Sequence, residues 1–371
     1  MSGTLAIVVF FTGLLLIILL HEGGHYLVAR AFGFKVEEYF IGFGPKIWSF
    51  TRNGIEYGVK ALPLGGYVKI AGMNPYEPVA PEDLPRSYGA KPIWQRALAI
   101  FAGPGSHFLI AAILFASWLM FFGDPRTPTP VVSSVESTLN GQTGPAAAAG
   151  LLPGDRIVAV DGVDDPTRDD LLTYTTAHVG EPVEFRIERD GQTFTKQITP
   201  VRSTVGGETI GRIGILLGPA KAGPIAALVG GVREVGRSVG ESVHQIGRLF
   251  GPQGIGRVFT LLFTDAKRTS QDPASVVGIG QAVGQTGSAG DYGAVLYFLA
   301  FVTVFIGLVN LVPLPPFDGG HLAVLVIEKI RGKQMDMRKL IPVSAVVIAF
   351  FVVFVLATIL LDITKPISFS P

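Results

Sequence analysis

The sequence contains no cysteine among its 371 residues, and only 16% of them are charged, against roughly 25% in an average soluble domain. Without cysteine the chain has no disulfide, no thiolate zinc site and no thiol nucleophile, so any metal must be bound by His, Asp or Glu. The formal net charge of +1 argues against a nucleic-acid partner. A wholly soluble protein is therefore not expected, and the length allows two or three structural units.

Apolar residues are concentrated in four stretches long enough to cross a hydrocarbon core, which takes about 20 residues. These stretches are Leu5–Ala29, Ile93–Phe122, Tyr292–Val312 and Leu340–Leu361. Nine Lys or Arg lie from Arg30 to Arg96 and five from Phe317 to Lys339, whereas none precedes the first stretch. By the positive-inside rule these two connections are cytoplasmic, and the long connection between the second and third stretches is extracytoplasmic.

The long connection contains the signals of a small β-rich domain. Residues 124–130 are rich in proline and are predicted to form a stiff linker. Predicted strands follow at Val131–Val135, Arg156–Val160, Val183–Glu188 and Thr193–Ile198, with Asp161-Gly162 and Asp190-Gly191 as turns. Residues 146–157, AAAAGLLPGDRI, resemble the A-x-x-A-G-L-x-x-G-D-x-I segment of PDZ domains in bacterial proteases. This resemblance implies a PDZ-like α+β domain at residues 124–202.

Residues 203–291 are predicted to be an amphipathic helix followed by a connecting segment. Apolar residues recur at helical spacing from Ile225 to Leu249, with charged residues on the other face. Such a helix either lies on the membrane surface or packs on neighbouring helices, and the pattern does not distinguish the two. Residues 275–290 are rich in Gly, Ala and Ser and are predicted to form a loop.

His21-Glu22-Gly23-Gly24-His25 is an H-E-x-x-H motif inside the first apolar stretch. On a helix, His21 and His25 project from one face and can share a zinc ion, while Glu22 lies where it can take a proton from the attacking water. Ionisable side chains within a membrane span are costly and indicate a functional site. The alternative is that the helix leaves the bilayer at His21, which would leave a short span.

A catalytic zinc site needs a third protein ligand. The best candidate is Asp318, because the prolines of residues 310–321 (NLVPLPPFDGGH) end the third span at the same cytoplasmic side as the H-E-x-x-H motif. Two alternatives remain: Asp318 is the N-cap of a following helix, or His321 is the ligand instead. We interpret His321 as a pocket residue.

Together these motifs resemble the site-2 protease family of intramembrane zinc metalloproteases, in its bacterial RseP-like branch. The matching elements are the H-E-x-x-H motif, the Asn-x-x-Pro-x-x-x-x-Asp-Gly element at 310–319, Gly-Phe-Gly-Pro at 42–45 and Pro-Leu-Gly-Gly-Tyr-Val at 63–68. The resemblance implies Zn²⁺ as cofactor, His21, His25 and Asp318 as its ligands, and Glu22 as the general base. It also implies that Asn310 lies near the substrate path.

Two further features bear on substrate binding. Residues 103–107 read Gly-Pro-Gly-Ser-His where the family has Gly-Pro-x-x-Asn, so His107 either takes over a substrate contact of that Asn, binds metal, tunes the pH response, or is hydrogen-bonded between helices. Strand patterns at Val36–Phe40, Lys46–Phe50, Ile55–Ala61 and Tyr67–Ile70, with turns at Asn53-Gly54 and Gly65-Gly66, resemble the family's membrane-associated β-sheet. An exposed edge there, including Gly65, Gly66 and Tyr67, could hold an extended substrate, or the hairpins have no substrate role.

The sequence thus predicts a polytopic α-helical membrane protein of four transmembrane helices with a membrane-associated β-sheet and one extracytoplasmic PDZ-like domain. The expected units are residues 1–123, 124–202, 203–291 and 292–371. The resemblance implies an endopeptidase of the bacterial inner membrane that cleaves single-span proteins in the lipid bilayer, such as a trimmed anti-sigma factor, and remnant signal peptides. The alternatives are a metal-binding or transport protein and a non-catalytic PDZ adaptor, neither of which needs a base at Glu22.

Overall fold

The computed structural model describes residues 2–205, 208–269 and 272–367 of the chain. The chain divides into two compact units, one formed by Met1–Ser117 with Leu228–Pro371 and the other by Trp118–Ala227. The described helices are α1 (Gly3–Ala31), α2 (Ile93–Phe121), α3 (Pro145–Ala148), α4 (Arg168–Ala177), α5 (Pro224–Phe250), α6 (Pro252–Phe263), α7 (Val276–Ser288), α8 (Tyr292–Asn310), α9 (Asp318–Arg331) and α10 (Ile341–Thr364).

Four of the described helical segments are long and apolar enough to cross a membrane. They are α1, α2, α8 and residues 337–364, which contain α10. These segments coincide with the four predicted apolar stretches, so the prediction of a polytopic helical protein is confirmed. The ionisable residues of the H-E-x-x-H motif lie inside α1, which continues unbroken to Ala31. The helix therefore does not end at His21, and its point of exit from the bilayer stays a prediction.

The strands divide between the two units. They are β1 (Val36–Arg52), β2 (Ile55–Ile70), β3 (Asp124–Val135), β4 (Thr138–Leu139), β5 (Gln142–Thr143), β6 (Arg156–Val160), β7 (Val163–Asp164), β8 (Val183–Arg189), β9 (Gln192–Ile198), β10 (Val201–Val205), β11 (Glu208–Arg212) and β12 (Ile215–Ala220). In the first unit β1 and β2 form an antiparallel sheet. Their turn at Asn53-Gly54 is confirmed, and both residues have positive φ, as a two-residue hairpin turn requires.

The predicted turn at Gly65-Gly66 is wrong, because β2 runs through both residues. The register of the sheet shifts repeatedly, so Phe40 of β1 pairs both with Gly58 and with Tyr67 of β2. Gly65 has a φ of 149°, a value that a side chain would disfavour, and this lets the strand change direction without a hairpin. As a result residues 66–70 lie along one side of residues 36–41, whose other side pairs with 56–59.

The predicted loop at residues 275–290 is also wrong, since most of it forms α7. The Ser275 hydroxyl caps this helix by accepting a hydrogen bond from the Val277 N–H. Its small residues pack closely on the start of α1: a side chain at Gly287 would overlap Ala6, and one at Gly284 would meet Ile7 at 2.9 Å. Small residues permit close packing between membrane helices, and this explains why residues 275–290 are rich in Gly, Ala and Ser although they form a helix.

The second unit is built around the sheet β12-β3-β6-β8-β9, and its core includes Ile157, Phe185 and Ile187. The predicted strands and the turns at Asp161-Gly162 and Asp190-Gly191 are confirmed. The predicted linker at 124–130 belongs instead to β3, where its prolines are tolerated because β6 pairs with β3 only at Val131. Residues 208–223, which fall in the unit predicted as amphipathic helix and connecting segment, contribute β11 and β12 and belong to the same compact unit.

The predicted amphipathic helix is α5, and part of its apolar stripe is exposed. Leu228 and Val232 are each more than half exposed, whereas Ser238 is fully buried. Val235 is half-buried, and Phe250 at the end of the helix packs against ring side chains of α10. The two alternatives, packing on neighbouring helices and a location on the membrane surface, therefore both stay open.

Candidate active site

His21, His25 and Asp318 meet at one point in the first unit. The Nε2 atoms of His21 and His25 are 3.2 Å apart, and they lie 3.3 Å and 3.4 Å from Asp318 Oδ2. One ligand atom from each residue lies within 4.8 Å of the others. The two imidazoles come from successive turns of α1, and the carboxylate comes from the first residue of α9. Residues far apart in the chain are thus brought to the spacing of a metal site.

The orientation of the His25 ring is fixed by the neighbouring helix. His25 Nδ1 donates a hydrogen bond of 2.8 Å to the carbonyl oxygen of Ala99 in α2. Because a carbonyl oxygen only accepts, this bond places the proton on Nδ1 and leaves the lone pair of Nε2 directed at His21 and Asp318. Such a bond from the second ring nitrogen is the usual support of a histidine that binds metal.

Asp318 is the first residue of α9, and it does not cap the helix. The N-cap position is occupied by Phe317, with no side-chain capping bond, whereas the Asp318 carboxylate faces the two imidazoles. Burial alone raises the pKa of this carboxyl, but the adjacent imidazoles of His21 and His25 outweigh burial and lower the pKa. Asp318 is therefore an anion directed at the two rings.

A cavity of about 260 Å³ adjoins this cluster. Its lining residues include His21, Glu22, His25, Tyr67, Val68, Tyr88, Ala99, Asn310, Phe317 and Asp318. Strand β2 forms one wall and comes very close to the motif: a Cβ added at Gly66 would lie 3.1 Å from Glu22 Cγ. The cavity is thus lined by the Glu22 carboxylate, by the three candidate metal ligands and by the edge of a β-sheet.

The donor set fits a zinc ion. Two neutral imidazole nitrogens and one carboxylate oxygen are a common protein ligand set of catalytic zinc, whose fourth position stays open to water or substrate. His321, the competing candidate ligand, is not part of the cluster found among the described residues.

Comparison with known proteins agrees with this chemistry. Residues 9–355 match the profile described as "Peptidase family M50". The chain belongs to peptidase family M50. The resemblance to the site-2 proteases is thereby confirmed, since this is their family. The M50 chain is 34% identical to "Zinc metalloprotease Rip1" of Mycolicibacterium smegmatis, over 98% of this chain and 98% of that protein. It is also 34% identical to "Zinc metalloprotease Rip1" of Mycobacterium tuberculosis strain Erdman, over 97% of this chain and 98% of that protein.

These relatives decide between the classes of function that the sequence left open. This M50 protein is a zinc metalloprotease with Zn²⁺ as its cofactor, and its four apolar helices make it a multi-pass membrane protein. A metal transporter and a non-catalytic adaptor, the two alternatives, are not supported by a family of peptidases.

The residues predicted to bind substrate occupy different places in the M50 fold. Asn310 and Tyr67 line the cavity, and Gly66 lies against Glu22. The Tyr67 hydroxyl donates to Glu38 and accepts from Lys60, and burial together with the Glu38 carboxylate raises the pKa of Tyr67. Gly65, which has a positive φ, lies in β2 just before the residues of that strand that line the cavity.

His107 does not line the cavity of the M50 protein. Its side chain is only 1% exposed and packs between the His21 ring, at a centroid distance of 4.9 Å, and Gly307 of α8. Its Nδ1 has no hydrogen-bond partner among the described residues, so the expected hydrogen bond between helices is not seen at that atom. The His107 ring instead packs against the His21 ring on the side away from the cavity lining.

Two glycines, Gly24 and Gly103, lie in the motifs quoted above without a predicted role, and both are needed to assemble the site. A side chain at Gly24 would come within 2.9 Å of the backbone of Ala102, and one at Gly103 would come within 2.8 Å of His21 Cε1 and closer still to His25 Nε2. These glycines therefore let α1 and α2 approach closely at the metal ligands. The sequence signal for this role is a small residue within an apolar helix, since small residues let membrane helices pack closely.

Proposed function

We propose that this M50 protein is an intramembrane zinc endopeptidase that cleaves single-span membrane proteins. The observation that carries the proposal is the convergence of His21, Glu22, His25 and Asp318 on one cavity, with both histidines and the glutamate inside an apolar helix of 29 residues. A membrane helix that carries three ionisable residues is costly unless they serve a function. A hydrolytic site at that depth acts on peptide bonds of membrane-embedded segments.

In this proposal His21, His25 and Asp318 hold the metal and Glu22 is the general base. Zn²⁺, when bound, polarises the scissile carbonyl and lowers the pKa of water. Glu22 takes a proton from the attacking water and delivers it to the leaving amine nitrogen, so that one carboxylate serves both proton transfers. The Ala99 carbonyl keeps the His25 ring in the orientation this requires, through the bond to Nδ1.

Strand β2 is the proposed binding edge for the substrate backbone. Residues 66–70 pair with β1 on one side, and no strand pairs with their other side among the described residues. A helical substrate hides its carbonyl groups in its own hydrogen bonds, so it must become extended before attack. An added strand beside residues 66–70 would supply those backbone hydrogen bonds next to Glu22. Tyr67, Gly65, Gly66 and Asn310 are then substrate-binding residues.

The substrates we propose rest on the family resemblance. They are single-span anti-sigma factors already trimmed by another protease, and remnant signal peptides. The Lys and Arg distribution supports an orientation in the bacterial inner membrane in which residues 30–96 and 317–339 face the cytoplasm. Cleavage would then occur near the cytoplasmic end of the substrate helix.

The ligand assignment is tested by paired alanine variants. Asp318→Ala should lower both zinc occupancy and proteolysis, because it removes the carboxylate that lies 3.3 Å and 3.4 Å from the two imidazole nitrogens. His321→Ala, on the same helix, is the matched control and should retain most of the zinc. Metal analysis of both purified variants measures the difference. The opposite ranking would transfer the third ligand to His321.

We further propose that the second compact unit is a PDZ-like domain that controls substrate entry. Its AAAAGLLPGDRI segment carries the PDZ resemblance, and Asp155 within it accepts a hydrogen bond from the Leu152 N–H and pairs with Arg189. The Lys and Arg distribution supports a location outside the cytoplasm. A folded domain there would obstruct a bulky substrate ectodomain and admit a trimmed stub.

Deletion of this domain distinguishes obstruction from recruitment. Asp124 and Ala220 are register partners of β3 and β12, so removing residues 125–219 joins two neighbouring points of the backbone. Deletion should leave cleavage of a short-stub substrate nearly unchanged and permit cleavage of the full-length substrate, because only bulk is removed. Both substrates are assayed with the intact and the deleted protein. If a folded deletion variant lost short-stub cleavage, the domain would recruit substrate instead.

A further inference from the structure

A buried ion pair connects helix α2 to helix α9. Arg96 Nη1 lies 2.8 Å from Glu328 Oε2, and the two side chains are only 6% and 5% exposed. Charges removed from water to this degree are costly unless they are paired. Neither residue belongs to the motifs of the active site, yet both helices contribute to it.

Each partner of the pair is connected to the metal cavity. The Arg96 guanidinium lies over the ring of Tyr88, 5.4 Å from its centroid, and Tyr88 lines the cavity. Arg96 also lies one turn before Ala99, whose carbonyl oxygen accepts a hydrogen bond from His25 Nδ1. Glu328 lies on the helix that begins with Asp318, and its Oε1 accepts a hydrogen bond of 2.9 Å from the Met335 N–H.

The start of α9 needs such support. The residues before it, 311–317, form turns and bends and not a helix, and the first turn of α9 packs closely on their backbone at Gly319 and Gly320. The rest of the helix is held by the ion pair and by Leu325, which belongs to the same buried cluster as Ala99 and Ile100. A displacement of α9 along α2 would carry the Asp318 carboxylate away from both imidazoles.

We propose that Arg96 and Glu328 are positioning residues for the metal site: their pair fixes α9 against α2 so that the Asp318 carboxylate meets His21 and His25. This inference rests on the proposed function, because it requires Asp318 to be a ligand. The pair touches neither substrate nor metal, and it acts through Asp318. Its loss therefore weakens zinc binding only where Asp318 is present.

The test is a double-mutant cycle on the full-length protein in detergent, with the zinc dissociation constant measured by competition with a chromophoric chelator. Glu328→Gln should weaken zinc binding by about tenfold, as is usual for residues that support a metal ligand. In an Asp318→Ala background the same change should alter the constant by less than about twofold, because the group it positions is gone. Arg96→Lys keeps the charge and should bind zinc more tightly than Arg96→Gln.

A matched control separates positioning from general stabilisation. Asp362→Asn breaks a pair with Arg268 in which the side chains are 0% and 2% exposed, and its described hydrogen bonds are to residues 275–281 and not to the cavity. This variant should retain the zinc affinity of the wild type. Should Glu328→Gln not fold, Glu328→Asp keeps the charge, shortens the side chain and should weaken zinc binding to a smaller degree, again only with Asp318 present.

Three results would overturn the inference. Unchanged zinc affinity in folded Glu328→Gln protein would show that the pair does not position a ligand. An equal loss in the Asp318→Ala background, or in Asp362→Asn, would show that the pair stabilises the fold in general. If Asp318→Ala alone left zinc affinity unchanged, the proposed ligand set would fail, and the inference with it.

Discussion

Glu22→Gln is expected to abolish proteolysis while the protein keeps its fold and its zinc. The substitution retains the size of the side chain and leaves His21, His25 and Asp318 in place, so the ligand cluster is intact. Only the proton acceptor is lost, because an amide cannot take a proton from water. General acid-base catalysis is typically worth about 10²- to 10⁴-fold, and the cleavage rate should fall by that factor.

The measurement compares zinc content and turnover of a transmembrane peptide in purified wild type and variant. Glu241→Gln is a suitable control, because Glu241 is exposed on α5 and does not line the cavity. It should cleave at the wild-type rate. Comparable turnover by zinc-loaded Glu22→Gln and wild type would remove Glu22 from the mechanism.

Gly103→Ala is expected to prevent zinc binding and therefore to abolish activity. The added methyl carbon would lie 2.8 Å from His21 Cε1 and inside van der Waals distance of His25 Nε2, the atom we assign to the metal. Zinc-imidazole bonds are about 2.0 to 2.1 Å long, so the methyl group would compete with the ion for the same space. Either an imidazole rotates away or α2 moves outward, and zinc affinity should fall by at least about 100-fold.

Gly105→Ala on the same helix is the control for Gly103→Ala. Its added carbon would meet the Phe101 ring at 3.2 Å, and that side chain can shift because it is exposed. Alanine exceeds glycine in helix propensity by about 1 kcal/mol, so neither variant should be destabilised by its backbone. Zinc affinity is therefore the decisive measurement: wild-type affinity in Gly103→Ala would contradict the arrangement of α1 and α2 described here.

The parts of the fold that local chemistry determines could be predicted from the sequence. The four apolar stretches become helices because nothing else satisfies their backbone groups in lipid. The hairpins at Asn53-Gly54 and Asp190-Gly191 follow from residues that accept positive φ. The H-E-x-x-H spacing brings two imidazoles together on any helix. The prolines after α8 end that helix, and this predicted that Asp318 lies at the same side of the membrane as the motif.

The parts that depend on contacts between distant segments could not be predicted. The small residues of α7 suggest a loop until α1 is seen packed against them. The prolines of β3 suggest a linker because the pairing with β12 lies about 90 residues away in sequence. Arg96 and Glu328 carry no local signal at all, since each is an ordinary charged residue until the fold buries the two together. For His107 the sequence left several roles open, and only the fold places its ring against the His21 ring.

Proteolysis within the membrane is tested most directly by mapping the cleaved bond. Purified protein and a single-span substrate are reconstituted in lipid vesicles, and the new termini are identified by mass spectrometry, with Glu22→Gln as the blank. We expect a zinc-dependent cut inside the apolar segment of the substrate, toward its cytoplasmic end, and no cut with the variant. A cut confined to the polar flanks of the substrate, or one that persists with Glu22→Gln, would contradict it.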